Sequence, residues 1–385
     1  MPWKDASVEK QRRDLVDALL VGAEPVVAIC RRFGVSRQTA YKFLQRFRAD
    51  GSMGLRNRAV TAGHAPAPQA IRWGKQILRL RRSEPTWGAR KLLWLLRQEG
   101  PCRFLPVERT VQRWLKRAGL VVRKKQPRRR VRPTRRPRGR LARRSNEVWT
   151  IDLKGWFLTG NRTKIEPLTV RDLWSKYVLW ARHLAPRDEA GVRWVCQQLF
   201  RRYGRPRVIR CDLGAPFFGD GPHGFTRLSL WWWRLGIGVE FVRRGSINNN
   251  AHEQMHRVMK AELVITHTAA AQAQHLKSWR RRYNRRRPHD ALGGRTPASV
   301  YRPRPRLQPV VLRPAHYPRH YLVKRVQQDG SITLPGWRGS IGRAFGGLRI
   351  GLAPAGDRLY RVYFTHLYLG LLDLNRTRRM VLAAF

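Results

Sequence analysis

Acidic residues are what this sequence has least of for its size. Its 385 residues hold 24 Asp plus Glu against 80 Lys plus Arg, a formal net charge of +56. A compact chain with that excess repels itself unless something anionic neutralises it, which points to nucleic acid as the partner. Cysteine is scarce as well: Cys30, Cys102, Cys196 and Cys211 lie far apart with no CxxC spacing. That excludes a zinc ribbon and a disulfide framework and fits a reducing compartment. No stretch reaches about 18 uninterrupted apolar residues, so no membrane partner is expected. The opening MPWKDASVEKQRRD lacks the apolar segment of a secretory signal. What is present excludes wholesale disorder, because 42% of residues are hydrophobic and 15 are Trp. The length predicts two to three domains.

Residues 8–50 read as three short helices, VEKQRRDLVDALL, PVVAICRRFG and SRQTAYKFLQRF. Pro25 suits a helix start, and Ser36, after the Gly34–Val35 turn, is an N-cap. A helix, a short turn with glycine and a second basic helix make the helix-turn-helix pattern of a domain over 1–50. With Val35, Ala40, Phe43, Leu44 and Phe47 turned inward, Ser36, Arg37, Gln38, Thr39, Tyr41 and Lys42 are left for DNA. After a linker, 70–121 repeats the theme as a second helical DNA-binding domain. There Val107, Val111, Trp114 and Leu115 form the apolar stripe, and Arg109, Thr110, Gln112 and Arg113 the exposed face.

Residues 122–144 hold 13 Lys or Arg and no acid. Prolines and like charges forbid a packed element, so 122–146 is expected to be an arm that tracks phosphate, Arg128, Arg129 and Arg130 among its contacts. From 147 to 302 the periods change to those of an α/β core. VWTIDL, IEPLTVRDL and SKYVLWARHL read as successive strands, then helix, strand, helix, strand and two helices. That order predicts a ribonuclease-H-like sheet. Short alternating runs over 319–375, with Asp329-Gly330 as a hairpin signal, predict a small C-terminal β-barrel of about five strands. The expected fold class is therefore multidomain: all-α helix-turn-helix modules, an α/β ribonuclease-H-like core and a small β-barrel.

Phosphodiester chemistry needs hard divalent cations, and these need carboxylate oxygens converging from separate elements. In so basic a chain the position of each acid is informative. Asp152 sits on the first core strand, Asp212 at the end of the fourth and Glu253 on a helix. The first and fourth strands are neighbours in such a fold, which brings both aspartates together. Asp172 is read as a hairpin cap instead. His252 and His256 stand i, i+4 on one helix, but with no cysteine or third ligand nearby they are read as surface or DNA-contacting side chains rather than a zinc pair.

Around these acids the sequence resembles the DDE transposases of bacterial insertion sequences, the branch with a retroviral-integrase-like catalytic core. The likeness runs through FGVSRQTAYKFLQRF, TWGARKL, EVWTIDLKGWF, LTVRDLWSKYVL, LFRRYGRPRVIRCDLGAPF, LSLWWWRLGI, HEQMHRVMKAE and YNRRRPHDALGGRTPASVY, in the family's order. The resemblance implies that Asp152, Asp212 and Glu253 are catalytic and bind two Mg²⁺ ions, with Mn²⁺ able to substitute. It also implies cleavage of element ends and strand transfer by a homo-oligomer on terminal-repeat and target DNA. The expected location is the bacterial cytoplasm, on the nucleoid. His289 matches the family and is expected to fix the last core helix. Departures are Leu213 where the family has Asn, Asn248-Asn249-Asn250-Ala251 in place of a Gln-Asn-Gly run, and Gln254 where a basic residue is common. Leu213 keeps a rival open, a catalytically impaired or domesticated DNA-binding protein on the same fold. A nuclease of RNA–DNA hybrids fits the two upstream helical readers less well, since major-groove readers suit B-form DNA. A polybasic ribonucleoprotein component would not need an acid-bearing core.

Overall fold

The computed structural model describes residues 8–57, 68–99, 105–121, 140–153, 155–186, 188–242, 250–303, 312, 315–375 and 381–382. The expected arm contacts Arg128, Arg129 and Arg130 lie outside the described residues. The chain divides into two compact units, 1–76 and 77–385.

The first unit is built on α1 (Val8–Val21), α2 (Val26–Phe33) and α3 (Arg37–Asp50). Gly34 ends α2 in the left-handed conformation and hands its N–H back to the last carbonyls. Two residues on, the Ser36 hydroxyl accepts from Thr39 N and starts α3. Leu15, Val16, Ile29, Ala40, Phe43 and Leu44 make the core, with Val35 and Phe47 packed at its edge. Leu55 belongs to that core and its carbonyl accepts from Arg12. The packed unit thus runs past residue 50, where the sequence pattern ended it.

In chain order the remaining elements begin with α4 (Pro68–Ser83), α5 (Ala89–Glu99) and α6 (Glu108–Arg117). The sheet strands follow: β1 (Val148–Leu153), β2 (Phe157–Leu158), β3 (Lys164–Ile165), β4 (Pro167–Asp172) and β5 (Val178–His183). Then come α7 (Glu189–Tyr203), β6 (Val208–Asp212), α8 (Arg227–Arg234), β7 (Gly238–Val242), α9 (Asn250–Glu262) and α10 (Ala269–Arg285).

The main sheet has the order β5-β4-β1-β6-β7. β1 pairs antiparallel with β4, and parallel with β6, which pairs parallel with β7. This is the mixed ribonuclease-H-like layout expected from the strand order. One difference is the small hairpin β2/β3 inserted between β1 and β4, its turn beginning at Thr159-Gly160-Asn161. Alternation along the strands gives the sheet two unlike faces. Trp149 and Ile151 of β1 and Ile209 and Cys211 of β6 pack with α7 and α8, against Val195, Leu199, Phe200 and Trp232. Each such fully buried side chain contributes roughly 1.5–3 kcal/mol. On the other side Val178 and Ala181 of β5 pack with Met255 and Met259 of α9 and Leu276 and Trp279 of α10.

The helices over 77–121 do not stand apart from this core. Glu262, at the end of α9, accepts from Thr86 Oγ1 at 2.5 Å, from Arg287 at 2.5 Å and from Trp279 Nε1 at 2.9 Å. Lys91 Nζ reaches Asp290 Oδ2 at 2.9 Å, and Gln98 Nε2 donates to Gly294 O at 3.1 Å. Gly294, at φ +84°, lies so close to the Trp94 ring that a Cβ would sit 2.5 Å from it. On α6, Val111 and Leu115 are buried as the stripe requires, but Val107 is 68% exposed, because the helix starts after it and it faces away.

Beyond the core lie β8 (Leu322–Arg325), β9 (Ser331–Leu334), β10 (Trp337–Ser340), β11 (Arg349–Gly356), β12 (Leu359–Phe364), β13 (Leu367–Asp373) and β14 (Val381–Leu382). They form a sheet of order β14-β13-β12-β11-β8 and a separate pair β10-β9. The Asp329-Gly330 signal makes a turn, with Asp329 Oδ1 accepting from Ser331 N, but not the expected hairpin. Gly330 O accepts from Ile341 N, drawing β9 to β10, while β8 pairs with β11. Among the described residues no helix is long and apolar enough to cross a membrane.

Candidate active site

The parallel pairing of β1 with β6 keeps a constant offset: Val148 faces Val208, Trp149 faces Ile209 and Thr150 faces Arg210. The pairing ends there; the same offset carried two residues further sets Asp152 against Asp212. Strands in a sheet lie about 4.8 Å apart, and residues level with one another point to the same face. Trp149, Ile151, Ile209 and Cys211 take the face toward α7 and α8, so Asp152 and Asp212 share the opposite one. Both carboxylates act on the Cys211 thiol between these faces, which burial and their charges push well above its ordinary value. Asp212 Oδ1 accepts from Gly214 N at 3.2 Å, turning the chain off the sheet at the strand end.

Helix α9 crosses this acid-bearing face and turns His252, Met255, His256 and Met259 toward it. His252 is 2% exposed. Its Nδ1 lies 2.7 Å from Thr150 Oγ1 and its Nε2 2.7 Å from Thr169 Oγ1. Thr169 Oγ1 also lies 2.8 Å from His256 Nε2 and donates to Asp152 O at 3.1 Å. A hydroxyl has one proton. With that proton on Asp152 O, both imidazole Nε2 atoms must donate to Thr169. Burial holds the His252 pKa well below its ordinary value, so the ring is neutral and its Nδ1 accepts from Thr150. His256 Nδ1 lies 3.7 Å from Asp152 Oδ2.

The expectation that His252 and His256 lie at the surface is therefore overturned: they bolt α9 to β1 and β4 beside Asp152. The ligand-type atoms of Asp152, His252 and His256 all lie within 4.8 Å of one another. A nitrogen-rich metal site there would have to break a bond that His252 already makes. The oxygen-rich set of Asp152 and Asp212 suits a hard divalent cation better. Glu253 is the residue after His252, exposed in the first turn of α9. Leu213 is 41% exposed beside Asp212 and is not packed into the core.

Asp172 is fully buried and caps the β4–β5 turn, accepting from Ser175 N, Ser175 Oγ and Asn146 N. Burial pushes its carboxyl up, against the pull of those bonds. His289 is half-buried with its ring against Tyr283 of α10, and desolvation pushes its pKa down to about 2, which keeps it neutral. Among the expected DNA contacts, Arg37, Gln38, Tyr41 and Lys42 are exposed on one side of α3. Ser36 and Thr39 are committed to the cap, their hydroxyls 2.9 Å apart. On α6, Arg109, Gln112 and Arg113 are exposed and Thr110 is half-buried.

Three domain families match this chain: a helix-turn-helix domain over residues 11–61, an integrase core domain over 235–297, and the C-terminal domain of the IS481 family transposases over 321–379. A protein of insertion element IS407 from Burkholderia multivorans is 27% identical over 230 residues, 58% of this chain and 78% of its own length. One of insertion element IS476 from Xanthomonas euvesicatoria is 27% identical over 284 residues, 70% of this chain and 75% of its own length. The HTLV-2 integrase catalytic core domain, solved in complex with magnesium, is 12% identical with a TM-score of 0.33, over 42% of this chain and 100% of its own. The BIV integrase core is 18% identical with a TM-score of 0.30, over 40% and 93%. The chain thus matches an integrase core domain between a helix-turn-helix domain and the C-terminal domain of the IS481 family transposases, and it is similar to proteins of the insertion elements IS407 and IS476.

Proposed function

We propose that this chain is a DNA transposase that cleaves the ends of its element and joins them to target DNA, with Asp152, Asp212 and Glu253 as its metal-binding carboxylates. The observation that carries the proposal is the register of β1 with β6, which carried two residues on sets Asp152 against Asp212, together with the action of both charges on the Cys211 thiol. Two divalent cations, Mg²⁺ or Mn²⁺, held there would lower the pKa of the attacking water or hydroxyl and stabilise the leaving oxygen. The chain's own residues supply the frame. β1 and β6 fix the spacing of the aspartates, and Thr150 and Thr169 fix α9 through His252 and His256, which sets the backbone from which Glu253 projects. His252, neutral and bonded through both nitrogens, is a strut and moves no proton. The helix-turn-helix domain and the integrase core imply DNA binding, with α3 as the reader of terminal repeats and residues 122–146 as a phosphate-tracking arm.

Purified chain, given a duplex made from the DNA flanking its own coding region, is expected to nick it and join the new 3′-OH to a second duplex. Activity should need Mg²⁺ or Mn²⁺ and vanish in chelator. Tight binding with no nicking in Mn²⁺ would leave a DNA-binding remnant. Arg37→Ala or Gln38→Ala is expected to cut discrimination between element-end and random duplex by about 1–3 kcal/mol, with little change on random DNA. Equal losses on both duplexes would make the residue a backbone contact instead.

A further inference from the structure

The hairpin β2/β3 follows the carboxyl end of β1, its first strand starting at Phe157, five residues after Asp152. It is fastened at its tip. Gly160 N donates to Thr266 O and Asn161 N to His267 O, each at 2.9 Å, which ties it to the segment after α9. Gly160 is needed for this approach, since a Cβ there would sit 2.9 Å from His267 Nδ1. Inside the turn, Asn161 Oδ1 accepts from Thr159 Oγ1 at 2.6 Å and from Thr163 Oγ1 at 2.9 Å.

This well-tied hairpin nevertheless holds Trp156 61% exposed. The Lys164 ammonium lies 5.3 Å from the centroid of its ring. An indole left in water forgoes one of the largest burial gains a side chain offers, so its exposure on a fixed support calls for an occupant. In a chain of net charge +56 that occupant is anionic. An indole beside an ammonium suits a nucleotide, with the ring stacking on the base and the cation meeting its phosphate. Paired bases inside a duplex offer only their edges, and their faces are covered by their neighbours. Only an unstacked base can lie on Trp156.

We propose that Trp156 and Lys164 form a stacking platform for one unpaired DNA base beside the carboxylate face, a positioning device for the strand end. The proposal rests on that face being the phosphoryl-transfer centre, and its test is one of binding alone. The probe is a duplex with a short unpaired 3′ tail carrying a fluorescent aminopurine, compared with the blunt duplex of the same sequence. Full-length protein is used, in chelator so that nothing is cut. The unaltered chain should prefer the tailed duplex by about tenfold, toward the low end of what one base–aromatic stack is worth, and quench the aminopurine. Trp156→Ala should lose the preference and the quench while its affinity for blunt duplex stays within about twofold, phosphate contacts being elsewhere. Trp156→Phe should keep most of both. Full preference and quench in Trp156→Ala, or no preference in the unaltered chain, overturns the platform. A chain that quenches the probe but never nicks DNA in Mn²⁺ defeats the transposase reading instead, so the two failures are told apart.

Discussion

Asp152→Asn and Asp212→Asn are each expected to reduce end cleavage and strand joining by at least about a thousandfold while DNA affinity stays within about twofold. The exchange keeps size and shape, removes the charge that would hold a cation, and touches a face whose packing is carried by other side chains. Melting temperature should therefore change little. Glu253→Gln tests the third carboxylate separately. Full activity in that variant would remove Glu253 from the metal set and leave the two aspartates. Asp172→Asn is the control that behaves differently. Buried and accepting three hydrogen bonds, it should lower stability, and activity only as far as the folded fraction falls.

Glu262→Ala is expected to destabilise the fold by about 3–5 kcal/mol, read by urea unfolding and by hydrogen exchange across 86–98. The Glu262 carboxylate and the Arg287 guanidinium are 7% and 6% exposed, so removing the acid leaves a buried cation without its partner. Thr86 and Trp279 lose their acceptor at the same time. Glu262→Gln keeps an acceptor and should cost less. Pairing it with Arg287→Met should recover part of the loss, because the stranded charge is gone. A cost below about 1 kcal/mol for Glu262→Ala would mean that α5 is held to the core by apolar packing and by its Lys91 and Gln98 bonds, without the Glu262 cluster.

Asp152 and Asp212 stand out in the sequence because carboxylates in so basic a chain are conspicuous, and the adjacency of their strands was legible from the strand order. Glu262 was equally conspicuous, yet its partners Thr86 and Arg287 are distant in sequence, and no local pattern pairs them. The helices of 70–121 consequently looked like a free-standing reader. His252 and His256 carried a usable signal: with Met255 and Met259 they form one stripe at helical spacing, which is the mark of a buried face. The reading as surface or DNA-contacting side chains left that stripe out of account. The strand partner of β9 was missed for a different reason. Asp329-Gly330 specifies a turn, but it is the two-residue turn Pro335-Gly336, between the paired Leu334 and Trp337, that joins β9 to β10.

Asn146 stands just before β1 in the left-handed conformation, at φ 62°. Its amide donates to Tyr203 O, and its Oδ1 accepts from Trp149 Nε1 and from the Tyr301 hydroxyl. Next to it, Arg302 N donates to Ser145 Oγ at 3.1 Å. The chain therefore enters the core at Ser145 and Asn146 and leaves it at Arg302 through one corner. A pull on residues 140–145 would arrive at Asn146 and be divided there among Trp149 of β1, Asp172 of β4 and Tyr301 at the exit, so that no single contact carries it.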